Sequence, residues 1–353
     1  MTPPAAAPRL EPVDSLDALR AEWSTLAEQG GNVFSTWEWA STWRRHIGED
    51  RPLLLHACRD AEGRPAAILP LYLATTRPVP IARFIGHGPA DELGPVCAPD
   101  DRRAAARALG DVVRRAEVGL LVAELLPGGH PWSADLGGRV VRREASPTLA
   151  LENWDAYLRG RSANFRQQVR GRERRLARDH ALAFRLADDP SRLDDDLAVL
   201  FRLHAARWGD GSPFLRHRDF HVDFARVALE RGWLRLWFLE LDGRAAAAWY
   251  GFRFAGVESY YQAGRDVGLR DASVGFVLLA HTIREASADG MREYRFLRGG
   301  EAFKGRFADA DPGLETVVVA RGVRGRLAAA AAAGALRSDA ARSLLGRLAA
   351  RAG

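Results

Sequence analysis

The sequence predicts a mixed α/β protein built from two units in tandem. Three observations carry that expectation. The chain has 353 residues, more than one typical domain and suited to two of medium size. Hydrophobic residues make up 47% of it, enough for full cores. The two halves also echo each other: helical patterns, then a strand hairpin, then strand–helix–strand. No residue-level repeat accompanies that echo.

The elements follow in order. Residues 1–14 are expected to be disordered. SLDALRAEWSTLAEQ places Leu16, Leu19, Trp23 and Leu26 at helical spacing, and FSTWEWASTWRRHIG forms a second helix. LLLHACR and AAILPLYLA read as strands joined by a turn at DAEGR. IARFIGH and LGPVCAP read as short strands around the loop GHGPADE. DRRAAARALGDVVRRAE is a helix, GLLVAELL a buried strand, PGGHPWSADLGG a loop, and RVVRRE and TLALE further strands. The first domain is bounded at 15–158.

The second domain, 159–320, begins with the basic helix SANFRQQVRGRERRLARD, with Ser162 as N-cap. Arg166, Arg170, Arg174 and Arg178 fall on one face, as a solvated row or an anion-facing one. A strand near Ala181 to Leu186 and helices over Leu193–Trp208 and Phe220–Arg231 follow. WLRLWFLELDGRAAAAWYGFRF is a hairpin turning at Asp242-Gly243. GVESYYQAGR is a strand, DASVGFVLLAHTIREASADG a helix, MREYRFLR a strand, GGEAFKGRF a helical turn and ETVVVAR a last strand. Residues 321–353 form an Arg/Ala-rich helix, with a break expected at Gly334.

Charge and cysteine narrow the functional classes. The net charge of +6 resides in the tail, where seven arginines from Arg321 onward face one acid, Asp339. The body is neutral in sum, so DNA is not an expected partner. The tail offers weak contact with an anionic membrane surface, but its apolar side is mostly alanine, which favours a packed or loosely attached helix. Two cysteines without a CxxC, no signal-peptide pattern in MTPPAAAPRLEP and no long apolar run point to a cytoplasmic protein. HRDFHVDF lacks the kinase Asn, and His217 and His221 read as a surface pair rather than a zinc site, so no metal is expected.

Two features point to chemistry. The loop DASVG puts Asp271 or Ser273 at an N-cap and Gly275 in the first turn, where free amides and the positive dipole end form a cradle for phosphate. The other is compositional: of 51 basic residues 50 are arginine, and the one lysine, Lys304, lies in FLRGGEAFKGRF. A compact ammonium does chemistry that a planar guanidinium does not.

The run YYQAGRDVGLRDASVGFVLLAHTIREASADGMREYRFLRGGEAFKGRF resembles the GNAT-type N-acyltransferases of the cellulose-biosynthesis-associated, CelD-like branch. The shared order is an aromatic strand ending at Gly264-Arg265-Asp266, a turn opening a helix, a closing Gly290 and the Arg298–Lys304 run. FSTWEWASTW, FIGHGPADELGPV and FRLHAARWG add to the likeness. The chain departs at Val274 (Pro in the family), Arg295 (Asp) and Phe303 (Tyr). Arg295 puts any role for an acid at that position in doubt.

The resemblance implies two tandem GNAT-like domains, each a mostly antiparallel sheet with flanking helices and a splayed central strand pair. It implies acyl-CoA, acetyl or longer, as co-substrate, its diphosphate on amides of Ser273, Val274, Gly275 and Phe276. An amine acceptor held between the domains, within exopolysaccharide or cell-envelope metabolism, would be acylated by direct attack. Phe303-Lys304-Gly305-Arg306-Phe307 also resembles the Phe-Lys-x-x-Phe run of Fem-type peptidyltransferases, which use aminoacyl-tRNA. That likeness gives Lys304 the role of stabilising an oxyanion. Glu301, His204 and Asp91 are candidate bases; each also reads structurally, as a Lys304 partner, a packed helix residue and a turn former. Asp91 and Tyr260 are candidate acceptor contacts. Arg298 binds an anionic acceptor or pairs with Glu301. A tRNA-dependent transferase and a non-catalytic accessory protein stand as alternatives.

Overall fold

A computed structural model of the chain describes residues 9–116, 118–330 and Gly334. It divides into two compact units. The first comprises residues 1–30, 34–145 and 312–353, and the second residues 31–33 and 146–311.

The first unit is a seven-stranded sheet in the order β1-β2-β3-β4-β5-β13-β6. Its strands are β1 (Arg9–Val13), β2 (Leu53–Arg59), β3 (Pro65–Thr75), β4 (Ile81–Phe84), β5 (Leu120–Pro127), β6 (Arg139–Glu144) and β13 (Leu314–Ala320). Residues 9–13, within the stretch expected to be disordered, pair antiparallel with β2 from Arg9 opposite Arg59 to Val13 opposite Leu55. β4 and β5 are parallel, as helix Arg102–Arg115 between them requires. The expected strand LGPVCAP is reduced to one bridge, Ile68 opposite Val96, and the expected loop around Trp132 holds a short helix, Trp132–Leu136.

The second unit is a six-stranded sheet, β7-β12-β11-β10-β9-β8. Its strands are β7 (Thr148–Ala150), β8 (Leu182–Leu186), β9 (Leu234–Leu241), β10 (Arg244–Phe254), β11 (Val257–Arg265) and β12 (Glu293–Arg295). The β9–β10 hairpin turns at Asp242-Gly243 with both residues at positive φ, as expected of that dipeptide. Helices Ala163–Asp179 and Val274–Ala288 share a core with the sheet that includes Phe165, Val169, Trp249, Ile283 and Phe307.

The expected boundaries at 158 and 320 differ from the observed partition for one reason. β13, the last strand in the sequence, pairs with β5 and β6 of the first sheet. β7, counted with the first domain by sequence, pairs with β12 of the second. Strand patterns report burial, not partner, so sequence alone misassigned both.

Residues 322–330 are helical. Ala329 is buried against Leu120, Val122 and Val318, while Val323 and Leu327 are exposed. Gly334 is helical; the rest of the tail lies outside the described residues. Among the described residues, no helix is long and apolar enough to cross a membrane, and no cluster of metal-ligating side chains occurs.

Candidate active site

The site begins where two parallel strands part. β11 and β12 pair only from Val257–Glu293 to Ser259–Arg295. β12 ends there, and β11 runs on to Arg265. The register of β11 against β10 also slips between Gly251 opposite Tyr260 and Tyr250 opposite Gln262, so Tyr261 is the extra residue of a bulge. The sequence expectation that Tyr260 and Tyr261 face opposite ways holds. Tyr260 stacks on Trp249 at 5.8 Å and meets Phe303 edge-on at 6.1 Å. Tyr261 faces Phe252 and His221. Burial drives the Tyr260 hydroxyl up to about 12, so it stays protonated at neutral pH.

A largely apolar cavity of about 190 Å³ lies along this parting, walled by Trp249, Tyr260, Gly264, Leu278 and Phe303 and ending at Ser273 and Gly275. Gly264 is required there. A Cβ on it would lie 2.4 Å from the His204 nitrogen, because helix Leu193–Trp208 packs backbone to backbone on β11.

The helix start closes the far end. A 3₁₀ segment, Val267–Ala272, leads into Ser273 at φ 56°, ψ 30°, and helix Val274–Ala288 follows. A right-handed residue followed by a left-handed one turns successive amides toward one point, an anion-binding nest. Ser273 is the N-cap by position, but its hydroxyl makes no capping bond. The expectation for Phe276 needs correction, since its amide donates to Ser273 O at 3.0 Å and is not available to a ligand. The amides of Ser273, Val274 and Gly275 precede the first intrahelical bonds. A Cβ on Gly275 would meet only Arg265 Cδ, at 3.8 Å, so the approach is open.

Lys304 is 5% exposed. Its Nζ donates to Arg298 O at 2.7 Å, lies 3.0 Å from Glu301 Oε2, and stands 5.9 Å from the Tyr260 ring centroid. Glu301 is thus the i, i+3 partner of the lysine. Arg298 contributes its carbonyl to the lysine, on a turn where Leu297 has φ 55° and Gly299 φ 115°. Lys304, Glu301 and Arg298 therefore form one group, one aromatic ring away from the cavity. Left-handed backbone at a non-glycine such as Leu297 costs energy and clusters at working sites.

His204 is held as a packing residue. Its Nδ1 lies 3.1 Å from Ala263 O and its Nε2 3.0 Å from Ser212 Oγ. Burial lowers it to about 4, so it is neutral at pH 7 with both nitrogens engaged. Asp91 belongs to the first unit, half-buried in the GHGPADE loop. His221, expected at the surface, is 0% exposed, because helix Arg218–Glu230 turns it inward onto Phe214.

Sequence reasoning missed Arg207 and Arg265, which line the cavity, and of its two readings of the arginine row the solvated one fits. Arg170, Arg174 and Arg178 are exposed; Arg174 bonds Arg170 O and Arg178 pairs with Asp179. The row facing the site is Phe165, Gln168 and Arg172, at i, i+3 and i+7. The apolar Phe165 and Val169 mark that face in the sequence.

Residues 163–305 match the family model described as an acetyltransferase (GNAT) domain. The match lies within the second unit, and the chain folds as two mostly antiparallel sheets with flanking helices. No curated protein matches the sequence. Among solved structures, that of FemX is similar over 89% of this chain and 97% of its own, with 12% identity and a TM-score of 0.64. The C-terminal domain of a putative lysylphosphatidylglycerol synthetase from Agrobacterium fabrum is similar over 92% and 95%, with 14% identity and a TM-score of 0.56. L-PGS from Bacillus licheniformis is similar over 88% and 91%, with 13% identity and a TM-score of 0.52. At these identities the likeness concerns the fold.

Proposed function

We propose that this chain is an N-acyltransferase that moves an acyl group from acyl-CoA to an amine by direct attack, without a covalent enzyme intermediate. One observation carries the reading. The parted β11–β12 pair opens an apolar slot that ends at Ser273 and Gly275, at the start of helix Val274–Ala288. A thioester arm fits the slot by adding to a strand edge, and a diphosphate fits the amides.

Within that reading the residues have distinct tasks. Tyr260 and Phe303 wall the reacting end of the slot. Lys304, fixed by Arg298 O and Glu301, supplies positive charge behind Tyr260 as the tetrahedral oxyanion forms. Glu301 holds the lysine and stands as a candidate to accept the amine proton. His204 holds Ala263 and so the line of β11. An acceptor from exopolysaccharide or cell-envelope metabolism accords with the CelD-like resemblance.

A second reading, transfer from aminoacyl-tRNA, draws on the fold likeness to FemX. Titration of the protein with acetyl-CoA, longer acyl-CoAs and aminoacyl-tRNA separates the two. The proposal expects binding of the CoA esters. Binding of aminoacyl-tRNA with no CoA binding would overturn it, and CoA binding without turnover on a panel of amines would favour an accessory role.

A further inference from the structure

Beside the helix start, two arginines share one aromatic ring. The guanidinium carbons of Arg172 and Arg306 lie 4.5 and 4.9 Å from the centroid of Phe276. Both lie against the same ring, close enough for the charge of Arg306 to act on Arg172. Arg306 donates to the neutral Gln168 Oε1 at 2.5 Å, and Gln168 Nε2 in turn donates to Asn164 Oδ1. Among the described residues, neither guanidinium has a carboxylate within ion-pair distance. Some other arginines of this unit pair with acids, as Arg185 does with Asp196 and Glu240, and Arg253 with Glu258 and Asp289. Burial and the neighbouring charge of Arg306 both disfavour the charged form of Arg172.

Like charges held together, partly buried and without an acid, carry a repulsion that a bound anion removes. Phe276 is both the floor of this pair and part of the cavity wall, three residues after Ser273. The pair is thus next to the proposed diphosphate site without being part of it.

We propose that Arg172 and Arg306 form a clamp for a second phosphate of the carrier, the monoester on the ribose of CoA. This rests on the acyl-CoA reading and sharpens it. The clamp makes the enzyme selective for CoA over carriers that share the diphosphate and pantetheine but lack that phosphate. A phosphate monoester brings close to two negative charges, matching two guanidiniums.

The test compares CoA with dephospho-CoA by calorimetry on the full chain. The wild type is expected to bind CoA at least about 10-fold more tightly, and the preference to shrink toward unity in Arg172→Gln/Arg306→Gln, with dephospho-CoA affinity retained. Arg178→Gln, on the solvent side of the same helix, should leave both affinities unchanged. Equal wild-type affinities would overturn the clamp while leaving the acyl-CoA reading standing, and need no variant to fold. Failure of both carriers to bind would overturn the acyl-CoA reading itself. Loss of binding to an acceptor-stem RNA in the double variant, with the CoA preference intact, would assign the clamp to a phosphodiester instead and overturn it.

Discussion

The two units share one motif and treat it in opposite ways. In each, a strand, a helix and a parallel strand follow one another: β4, Arg102–Arg115 and β5 in the first, β11, Val274–Ala288 and β12 in the second. In each, the parallel pairing is brief, two residue pairs in the first unit and three in the second. Beyond that point the first unit uses its own chain, as the Leu93 amide donates to Leu125 O of β5 at 3.0 Å. Its helix is preceded by Pro99, Asp100 and Asp101, which place acids and a missing donor where the second unit has Ser273, Val274 and Gly275. Negative charge at a helix start stabilises the helix and repels an anion. On the proposed reading the first unit has the motif as scaffold, and the second has it as a site.

Five outcomes break or sharpen that contrast. Gly275→Asp imposes the first unit's chemistry on the second. It should reduce CoA affinity by at least about 100-fold in calorimetry with little change in melting temperature, since the added Cβ has room. Lys304→Arg should lower kcat by about 10-fold, less than the loss of a donor touching the oxyanion, with CoA affinity kept. Unchanged turnover would return the lysine to a structural role.

The third outcome concerns acid. His204 and His281 are lowered to about 4, and the buried His221 lies well below its ordinary value, all chiefly through burial. These groups are neutral when folded and take up protons at about 6.5 when unfolded. Their contribution to stability is complete above that pH and is lost as pH falls from 6.5 toward 4. The loss is about 1.4 kcal/mol per histidine and per pH unit within that window. All three lie in the second unit, so hydrogen exchange followed between pH 7 and 5 should show its core opening the more steeply.

Gly264→Ala should destabilise the second unit by about 1–3 kcal/mol through its backbone contact with His204, read as a fall in melting temperature. Asp100→Ser with Asp101→Gly should change CoA binding least, with no second site appearing, because the Leu93–Leu125 bond still occupies the parting of β4 and β5.

Much of this was legible in the sequence. Helix periodicities, the Asp242-Gly243 hairpin and the helix start at DASVG are local patterns, and the structure has them. The exchange of β7 and β13 was not legible, because both strands are short apolar runs equally suited to either sheet. The arginine row at i, i+4 proves a solvated face; the buried Phe165 and Val169 define the inward face and lead to Arg172. The lone lysine stands out in the sequence, but its wiring to Arg298 O depends on a left-handed turn at Leu297 that no residue type announces. His221 was placed outside because its helix partner His217 suggested a surface pair.

The central claim is that the helix start at Ser273–Gly275 holds the diphosphate of a thioester carrier. A crystal structure with CoA tests it most directly. The account predicts diphosphate oxygens within about 3 Å of the Val274 and Gly275 amides, with the pantetheine arm lying along β11. CoA bound elsewhere, with those amides facing only water, would contradict it.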